Sequence, residues 1–200
     1  MPIPQEILLI NEEYIKKFTP LTDAVDPNLI RPAIYLAQDK YLTNFLGTNL
    51  TVRLKDDVAN GTLSGDYETL LNEYVLKVVL WWTMVELYPS LLYKHDNGNL
   101  VSRQSEDTTP VTKFEMESLK EAARQNARWY TKRMVDYLCF NSTLFPEYTN
   151  NTDNNIFPDR NPYGKSNFLI SNSYRQWRTR INLQDFLPPS YLSERSMKSY

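Results

Sequence analysis

The sequence has little of the chemistry on which most enzymes and metal sites depend. Its 200 residues include one cysteine, Cys139, and one histidine, His95. These counts exclude an internal disulfide framework, a zinc site built from Cys and His, and any catalytic group that needs two histidines. The five glycines are scattered, and none has the G-x-G-x-x-G or G-x-x-x-x-G-K-[ST] spacing that binds phosphates. We therefore expect no cofactor, no metal ion and no enzymatic activity.

The net charge of the chain is also low. The 22 basic and 24 acidic residues give a formal net charge of −2, so no strongly basic surface exists to bind nucleic acid without sequence preference.

The longest apolar stretch, residues 78–93, lies between Lys77 and Lys94 and contains Glu86 and Pro89. It is shorter than the roughly 20 residues that span a bilayer, and the N-terminus lacks the pattern of a secretory signal. We expect a core helix, no membrane partner and folding in a cytosol.

Proline placement divides the chain into two parts. Five of the twelve prolines lie after residue 140, whereas Pro89 and Pro110 are the only two between residues 33 and 145. Residues 1–140 carry 15 basic and 19 acidic side chains, and residues 141–200 carry 7 and 5. The second part is also rich in Tyr, Phe and Trp, unlike a solvated linker. The sequence predicts a helical bundle over 1–140 and an extended, aromatic-rich arm over 141–200.

Capping residues and apolar periodicity indicate a mainly α fold, a four-helix bundle. Three sites have residues typical of helix starts: Asp26 with Pro27, Asp66 alone, and Thr112 with Glu115. Pro89 is expected to end a helix. Polar residues 94–110, centred on Asn97-Gly98, predict a long loop or a hairpin. The four predicted helices are residues 11–18, 27–46, 67–88 and 112–140, with a shorter helix over 49–58 between the second and the third.

The helix over 67–88 is apolar on most sides, so other elements must cover it on most sides. This pattern predicts either the centre of the bundle or a subunit contact, with Trp81 and Trp82 as candidate interface residues. For the last helix, the periodicity predicts that the following residues face inward: Leu119, Ala122, Ala123, Asn126, Tyr130, Val135 and Leu138.

Glu86 is the only charged residue between Lys77 and Lys94. A carboxylate in such apolar surroundings must be paired or protonated. We expect an ion pair with Arg124 or Arg128 of the last helix, and take Glu86 and Arg128 as the candidate pair. The alternative is a small carboxylate-based hydrolase, in which Glu86 works with a second carboxylate in a concave pocket.

Residues 174–180, with the sequence YRQWRTR, alternate aromatic and cationic side chains. This composition suits stacking and phosphate pairing with single-stranded nucleic acid, and it also suits a protein interface, where Trp, Tyr and Arg dominate the binding energy. We favour the protein interface and keep a nucleic-acid-binding helical module as the alternative. The candidate protein-interaction residues are Trp81, Trp82, Asn97, Gly98, Phe168, Tyr174, Arg175, Trp177, Arg178, Phe186 and Tyr191.

Three segments of the body carry a family resemblance. The first reads Ala37-Gln38…Tyr41-Leu42…Phe45-Leu46-Gly47, the second is the short Asn49–Val58 helix, and the third reads Tyr67…Leu71…Tyr74…Trp82…Glu86. With the Asn97-Gly98 loop and a long closing helix, residues 11–140 resemble the head-tail connector (adaptor) proteins of tailed bacteriophages. The resemblance is greatest to the neck ring proteins of crAss-like phages.

The resemblance implies a connector-type bundle without catalytic residues. It implies a subunit of a homo-oligomeric ring, usually a dodecamer, that binds the portal protein and joins it to the next neck or tail component. Genomic DNA would pass through the ring without sequence-specific binding, and an acidic body suits such passage. The implied location is the virion neck, after assembly in the cytoplasm of the bacterial host. The segment beyond Asn141 departs from a compact connector, and we expect it to fasten adjacent neck proteins.

Overall fold

The computed structural model describes residues 6–96, 99–102, 111–150 and 156–161. The described chain is mainly helical, which confirms the predicted fold class at that level. Two π-helical turns, Gln38–Leu42 and Leu71–Val75, join α2 to α3 and α5 to α6 without a break. The helices are α1 Glu12–Phe18, α2 Pro27–Ala37, α3 Thr43–Leu46, α4 Thr48–Asn60, α5 Gly65–Leu70, α6 Leu76–Leu92, α7 Lys113–Phe140 and α8 Pro146–Thr149.

Side-chain caps fix where several helices begin. The Asp26 carboxylate accepts a hydrogen bond from the backbone N–H of Asn28 at 2.9 Å, with Pro27 at the first helical position of α2. Thr112 and Glu115 form a reciprocal capping box at the start of α7. Both starts confirm the sequence prediction, because a cap depends on residues within one turn of each other.

The helix that contains α5 and α6 differs from the prediction at both ends. It begins at Gly65, with Ser64 as the N-cap, so Asp66 lies in the first turn rather than at the cap. It also continues through Pro89 to Leu92. A proline in a helix removes one backbone donor, and here that loss falls within the last turn, where few hydrogen bonds depend on it.

Helix α6 is the centre of the fold and packs against both α2 and α7. Among the described residues, one continuous helix, Gly65–Leu92, is long and apolar enough by length and composition to cross a membrane, and 56% of its apolar window is buried inside the fold. Burial on most sides is what a central core helix requires. Its buried residues in α6 are Val78, Val79, Leu80, Trp82, Thr83, Met84, Val85 and Leu87.

The segment after α6 forms a two-stranded antiparallel hairpin. Strand β1 is Tyr93–Asp96 and strand β2 is Asn99–Ser102, with Tyr93 opposite Ser102 and Asp96 opposite Asn99. Of the two alternatives predicted for 94–110, the structure therefore shows the hairpin as far as residue 102. Asn97, Gly98 and residues 103–110 lie outside the described residues.

The body of the fold extends past the predicted boundary at residue 140. Phe145 and Tyr148 are fully buried in the main core, and the Phe145 ring meets the edge of Tyr67 at 5.4 Å between centroids. The Tyr67 hydroxyl donates to Glu147 Oε2 at 2.6 Å, which holds α8 against α5. The boundary between residues 140 and 141 is therefore wrong. Two buried aromatic side chains anchor a segment that has no helical period of its own.

Residues 156–161 attach to the corner between α3 and α4. The Thr48 backbone N–H donates to the carbonyl of Ile156 at 3.2 Å, and the Asp159 N–H donates to the carbonyl of Asn44 at 2.8 Å. Gly47, at φ 77°, sits so close to Pro158 that a Cβ atom on it would lie 2.8 Å from the proline Cγ. The body therefore reaches at least residue 161.

Candidate interaction surface

Each π-helical turn presents one tyrosine to a neighbouring aromatic ring. Tyr41 stacks on Trp82 of α6 with ring centroids 3.8 Å apart and planes 10° apart. Tyr74 stacks on Tyr137 of α7 at 4.2 Å and 17°. A π-helical turn holds one more residue than an α-helical turn and so changes which face later side chains occupy; such turns are frequent at functional sites. Here they join α6 to its two neighbours through ring contacts.

Glu86 is paired with the first π-helical turn and not with α7. Its Oε1 atom accepts hydrogen bonds from Tyr41 Oη at 2.6 Å and from Lys40 Nζ at 2.9 Å. Burial raises the pKa of Glu86, but the hydrogen bonds from Tyr41 and Lys40 outweigh it, so the pKa lies below its usual value. The Lys40 pKa is raised in turn, mainly by the hydrogen bond to Glu86. Glu86 is therefore a structural carboxylate that ties α6 to the end of α2.

The predicted ion pair between Glu86 and Arg128 is wrong. Arg124 pairs with Glu121 one turn away on α7, and Arg128 Nη1 lies 3.8 Å from the same carboxylate. The sequence showed correctly that Glu86 needs a cation. It could not show which helix supplies the cation, because that depends on how α6 is rotated between α2 and α7.

Trp82 is a core residue, which contradicts its prediction as an interface residue. Its indole N–H donates to Thr131 Oγ1 of α7 at 3.0 Å, and the Thr131 hydroxyl donates to the carbonyl of Ala127 at 2.7 Å. All polar atoms of the indole are therefore satisfied inside the fold. Trp81 is half-buried and packs against the same core.

The inward face of α7 also differs from the prediction. The residues that face the core are Met116, Ala123, Ala127, Thr131, Met134, Val135 and Leu138. Leu119, Ala122 and Asn126, which were predicted to face inward, are exposed. Ala123, Val135 and Leu138 are buried as predicted. The helix also carries apolar residues on other faces, and the periodicity placed the buried face too close to Leu119 and Asn126.

A different face of α7 carries an exposed aromatic surface. Trp129, Arg133 and Phe140 lie at positions i, i+4 and i+11, which share one face of a helix. Trp129 is 54% exposed, Phe140 90% and Leu119, three turns before Trp129, 48%. We call Leu119, Trp129, Arg133 and Phe140 the α7 stripe. Large apolar side chains exposed on one helix face make this surface the candidate for an interaction site.

Arg133 lies between the ring of Trp129 and the ring of Tyr74 from the second π-helical turn. Its guanidinium carbon lies 5.6 Å from the centroid of Tyr74 and 5.8 Å from that of Trp129. Trp129 also meets the edge of Tyr130 at 4.8 Å. These cation–π and edge-to-face contacts restrict the side chains before any partner binds, and Trp, Tyr and Arg are the residues that contribute most to protein interfaces. Sequence reasoning missed Trp129 and Arg133, although their four-residue spacing was a usable signal.

Two depressions lined by described residues lie beside α1, and Glu86 lines neither of them. Within the described part of the chain, no group of three His, Cys, Asp or Glu side chains could hold a metal ion.

The following predicted interaction residues lie outside the described residues: Asn97, Gly98, Phe168, Tyr174, Arg175, Trp177, Arg178, Phe186 and Tyr191.

Comparison with known proteins gives one match. A family described as a family of unknown function (DUF6712) matches residues 42–158, more than half of the chain. The match begins in the first π-helical turn and ends at Pro158, the residue in contact with Gly47. No curated protein matches the chain with significance, and neither does a solved structure. The matched range covers α8 and thus agrees with a body that extends beyond residue 140.

Proposed function

Because the chain belongs to the family of unknown function DUF6712, we propose its function from its geometry and from the sequence resemblance: it is a structural subunit of a ring in the neck of a tailed bacteriophage. The ring joins the portal protein to the next neck or tail component around the DNA channel. The chain contributes binding surfaces to this assembly and performs no chemistry.

The observation that carries this proposal is the α7 stripe. A helix of 28 residues exposes Trp129 and Phe140 on one face, with Arg133 already positioned between two rings. A monomer gains nothing from leaving such a surface in water, since burying large apolar side chains is favourable by about 1.5–3 kcal/mol each. A subunit that acquires neighbours during assembly covers the same surface with protein.

The charge of the body supports a place beside DNA. Residues 1–140 carry 15 basic and 19 acidic side chains, so the body does not attract phosphates as a whole. Basic residues lining a channel would bind phosphates electrostatically and slow the passage of DNA. Identical subunits that contact each other head to tail close into a ring when the rotation between them divides a full turn.

Electron microscopy of virions tests the proposal directly. Virions labelled with an antibody against the full chain should show the label at the portal vertex, and image averaging there should show a ring that accommodates the chain. Purified full chain mixed with purified portal protein should co-sediment with it. Label on the tail tip or in the host lysate alone, with no co-sedimentation, would contradict the proposal.

Two variants test whether the α7 stripe is the surface responsible. Trp129→Ser should reduce incorporation into particles at least tenfold, because it removes the central anchor of the stripe. Tyr35→Ser is the matched control, since Tyr35 is also an exposed aromatic residue but lies on α2. Equal incorporation of the two variants would show that the stripe is not a binding surface.

A further inference from the structure

The outer face of α4 is a second unpartnered helix surface, and its side chains are small. Val52, Asp56 and Ala59 lie at positions i, i+4 and i+7 and are all exposed, with Val52 49% exposed. The opposite face of α4 carries Leu50 and Leu54, which are buried in the core. The outer face therefore exposes two small apolar side chains and one carboxylate.

The region around this face is acidic, and Asp56 has no ion pair within the described chain. Residues 48–75 carry five acidic and two basic side chains. Both basic residues are already engaged: Arg53 pairs with Asp57 at 2.8 Å, and Lys55 pairs with Glu6. Among the described ion pairs, none includes Asp56, and its side chain is exposed.

Helix α7 has the opposite balance. Residues 113–140 carry six basic and four acidic side chains. Three of its acidic residues are engaged with basic residues of α7 itself: Glu117 with Lys120, Glu121 with Arg124 and Arg128, and Asp136 with Lys132. Arg133 contacts rings rather than a carboxylate among the described residues. Glu73, whose charge interacts with that of Arg133, is paired with Lys77.

We propose that the α7 stripe of one copy docks on the outer face of α4 in a second copy of this chain. The inference rests on the proposed function and names the two surfaces of the contact between ring subunits. Trp129 and Arg133 are an apolar residue and a cation at i and i+4, and Val52 and Asp56 are an apolar residue and an anion at the same spacing. Trp129 covers Val52, and the Arg133 guanidinium reaches the Asp56 carboxylate.

Two different surfaces take part in this contact, so each copy keeps a free stripe or a free α4 face after it has bound one neighbour. Such head-to-tail contacts continue until they close into a ring, whereas a contact between two identical surfaces would stop at a dimer. Opposite charge on the two surfaces also disfavours stripe-to-stripe pairing, because that would place two Arg133 side chains together.

Charge exchange on the full chain tests the contact by sedimentation velocity across a concentration series. Arg133→Glu and Asp56→Lys should each weaken self-association at least tenfold, because each brings like charges together. The chain that carries both substitutions restores opposite signs and should recover most of the association. Asp39→Lys is the matched control, since Asp39 is an exposed carboxylate on the π-helical turn after α2, and it should assemble like the wild type.

A mixing experiment tests the head-to-tail geometry. Trp129→Ser lacks a working stripe and Asp56→Lys lacks a working α4 face, so an equimolar mixture can form one good contact and should stop at a dimer. Each variant alone should remain a monomer, and the wild type should form species larger than a dimer.

Three outcomes overturn the inference: Asp56→Lys assembles like the wild type, the double variant stays as weak as the single ones, or the wild type stops at a dimer or remains a monomer. Virion imaging decides the proposed function separately. A ring at the portal vertex together with an inert Asp56→Lys would leave the function standing and reject this contact. If the double variant recovers self-association but virions show no ring at the portal vertex, the contact stands and the proposed function is rejected.

Discussion

The phenol ring of Tyr41 lies flat against the indole of Trp82, with 3.8 Å between the ring centroids. The hydroxyl of the same tyrosine donates a hydrogen bond to Glu86. Tyr41 and Trp82 lie far apart in sequence and come together through the π-helical turn that follows α2. The indole in turn bonds to Thr131 of α7. This chain of contacts joins α2, α6 and α7, so it accounts for the central position of α6.

Trp82→Ala should strongly destabilise the fold. The substitution removes a buried ring that stacks on Tyr41 and donates to Thr131, and deletion of a buried Trp costs about 3–5 kcal/mol in unfolding free energy. Trp129→Ala is the matched control, since Trp129 is exposed, and surface changes usually cost within about 0.5 kcal/mol. Urea denaturation of both variants measures the difference. Equal losses would contradict the assignment of Trp82 to the core.

Glu86 should give the fold a component of stability that depends on pH. Its folded pKa is lowered, because the hydrogen bonds from Tyr41 and Lys40 outweigh the opposing effect of burial. A carboxyl group with a lowered folded pKa contributes stability above the unfolded value, about pH 4.3, and the contribution is lost as the pH falls through the folded pKa. Wild-type stability should therefore fall below that pH more steeply than that of Glu86→Gln.

The titration of Glu86 can also be followed directly by NMR of its side-chain carboxyl carbon. Tyr41→Phe removes one donor while keeping a ring to stack on Trp82, so the Glu86 pKa should rise. Lys40→Met should raise it as well. No change in either variant would show that these two side chains do not stabilise the carboxylate.

Gly47→Ala should cost more stability than Gly61→Ala. Both glycines have positive φ, 77° and 64°. Gly61, with ψ 25°, is in the left-handed helical region, where alanine costs about 1–2 kcal/mol, whereas Gly47, with ψ 164°, is in a region that only glycine adopts readily. At Gly61 a Cβ atom has no neighbour within 4 Å, whereas at Gly47 it would lie 2.8 Å from Pro158 Cγ and 3.2 Å from the carbonyl of Ile156. Thermal denaturation of the two variants measures the combined effect of the backbone strain and the clash at Gly47, and equal melting temperatures would contradict both.

The segment after residue 140 should prove necessary for folding. A chain that ends at Phe140 lacks Phe145 and Tyr148, which are fully buried, and also the contacts of residues 156–161. It should unfold at a much lower denaturant concentration than a chain that ends at Pro162. Phe145→Ala in the full chain provides an independent check, with an expected loss of about 3–5 kcal/mol. If the two truncated chains were equally stable, the residues after Phe140 would not belong to the body, and the boundary at residue 140 would be correct.

Local features of this protein could be predicted from the sequence alone. The mainly helical class, the helix starts at Asp26 and Thr112, and the need of Glu86 for a partner all depend on residues within one or two turns of each other. Capping, turn chemistry and the cost of burying a charge act at that range, so a single sequence contains the information.

Only the tertiary structure decided which faces meet. Helix α7 carries apolar residues on more than one face, and the rotation of the helix against α6 buried Met134 and left Trp129 exposed. The packing of the helices also decided that Glu86 pairs with Lys40 and Tyr41 instead of Arg128. Two buried aromatic side chains place residues 145–148 in the core. The physical reason is that burial and pairing across helices depend on the packing of the whole core, and no short window of sequence contains that packing.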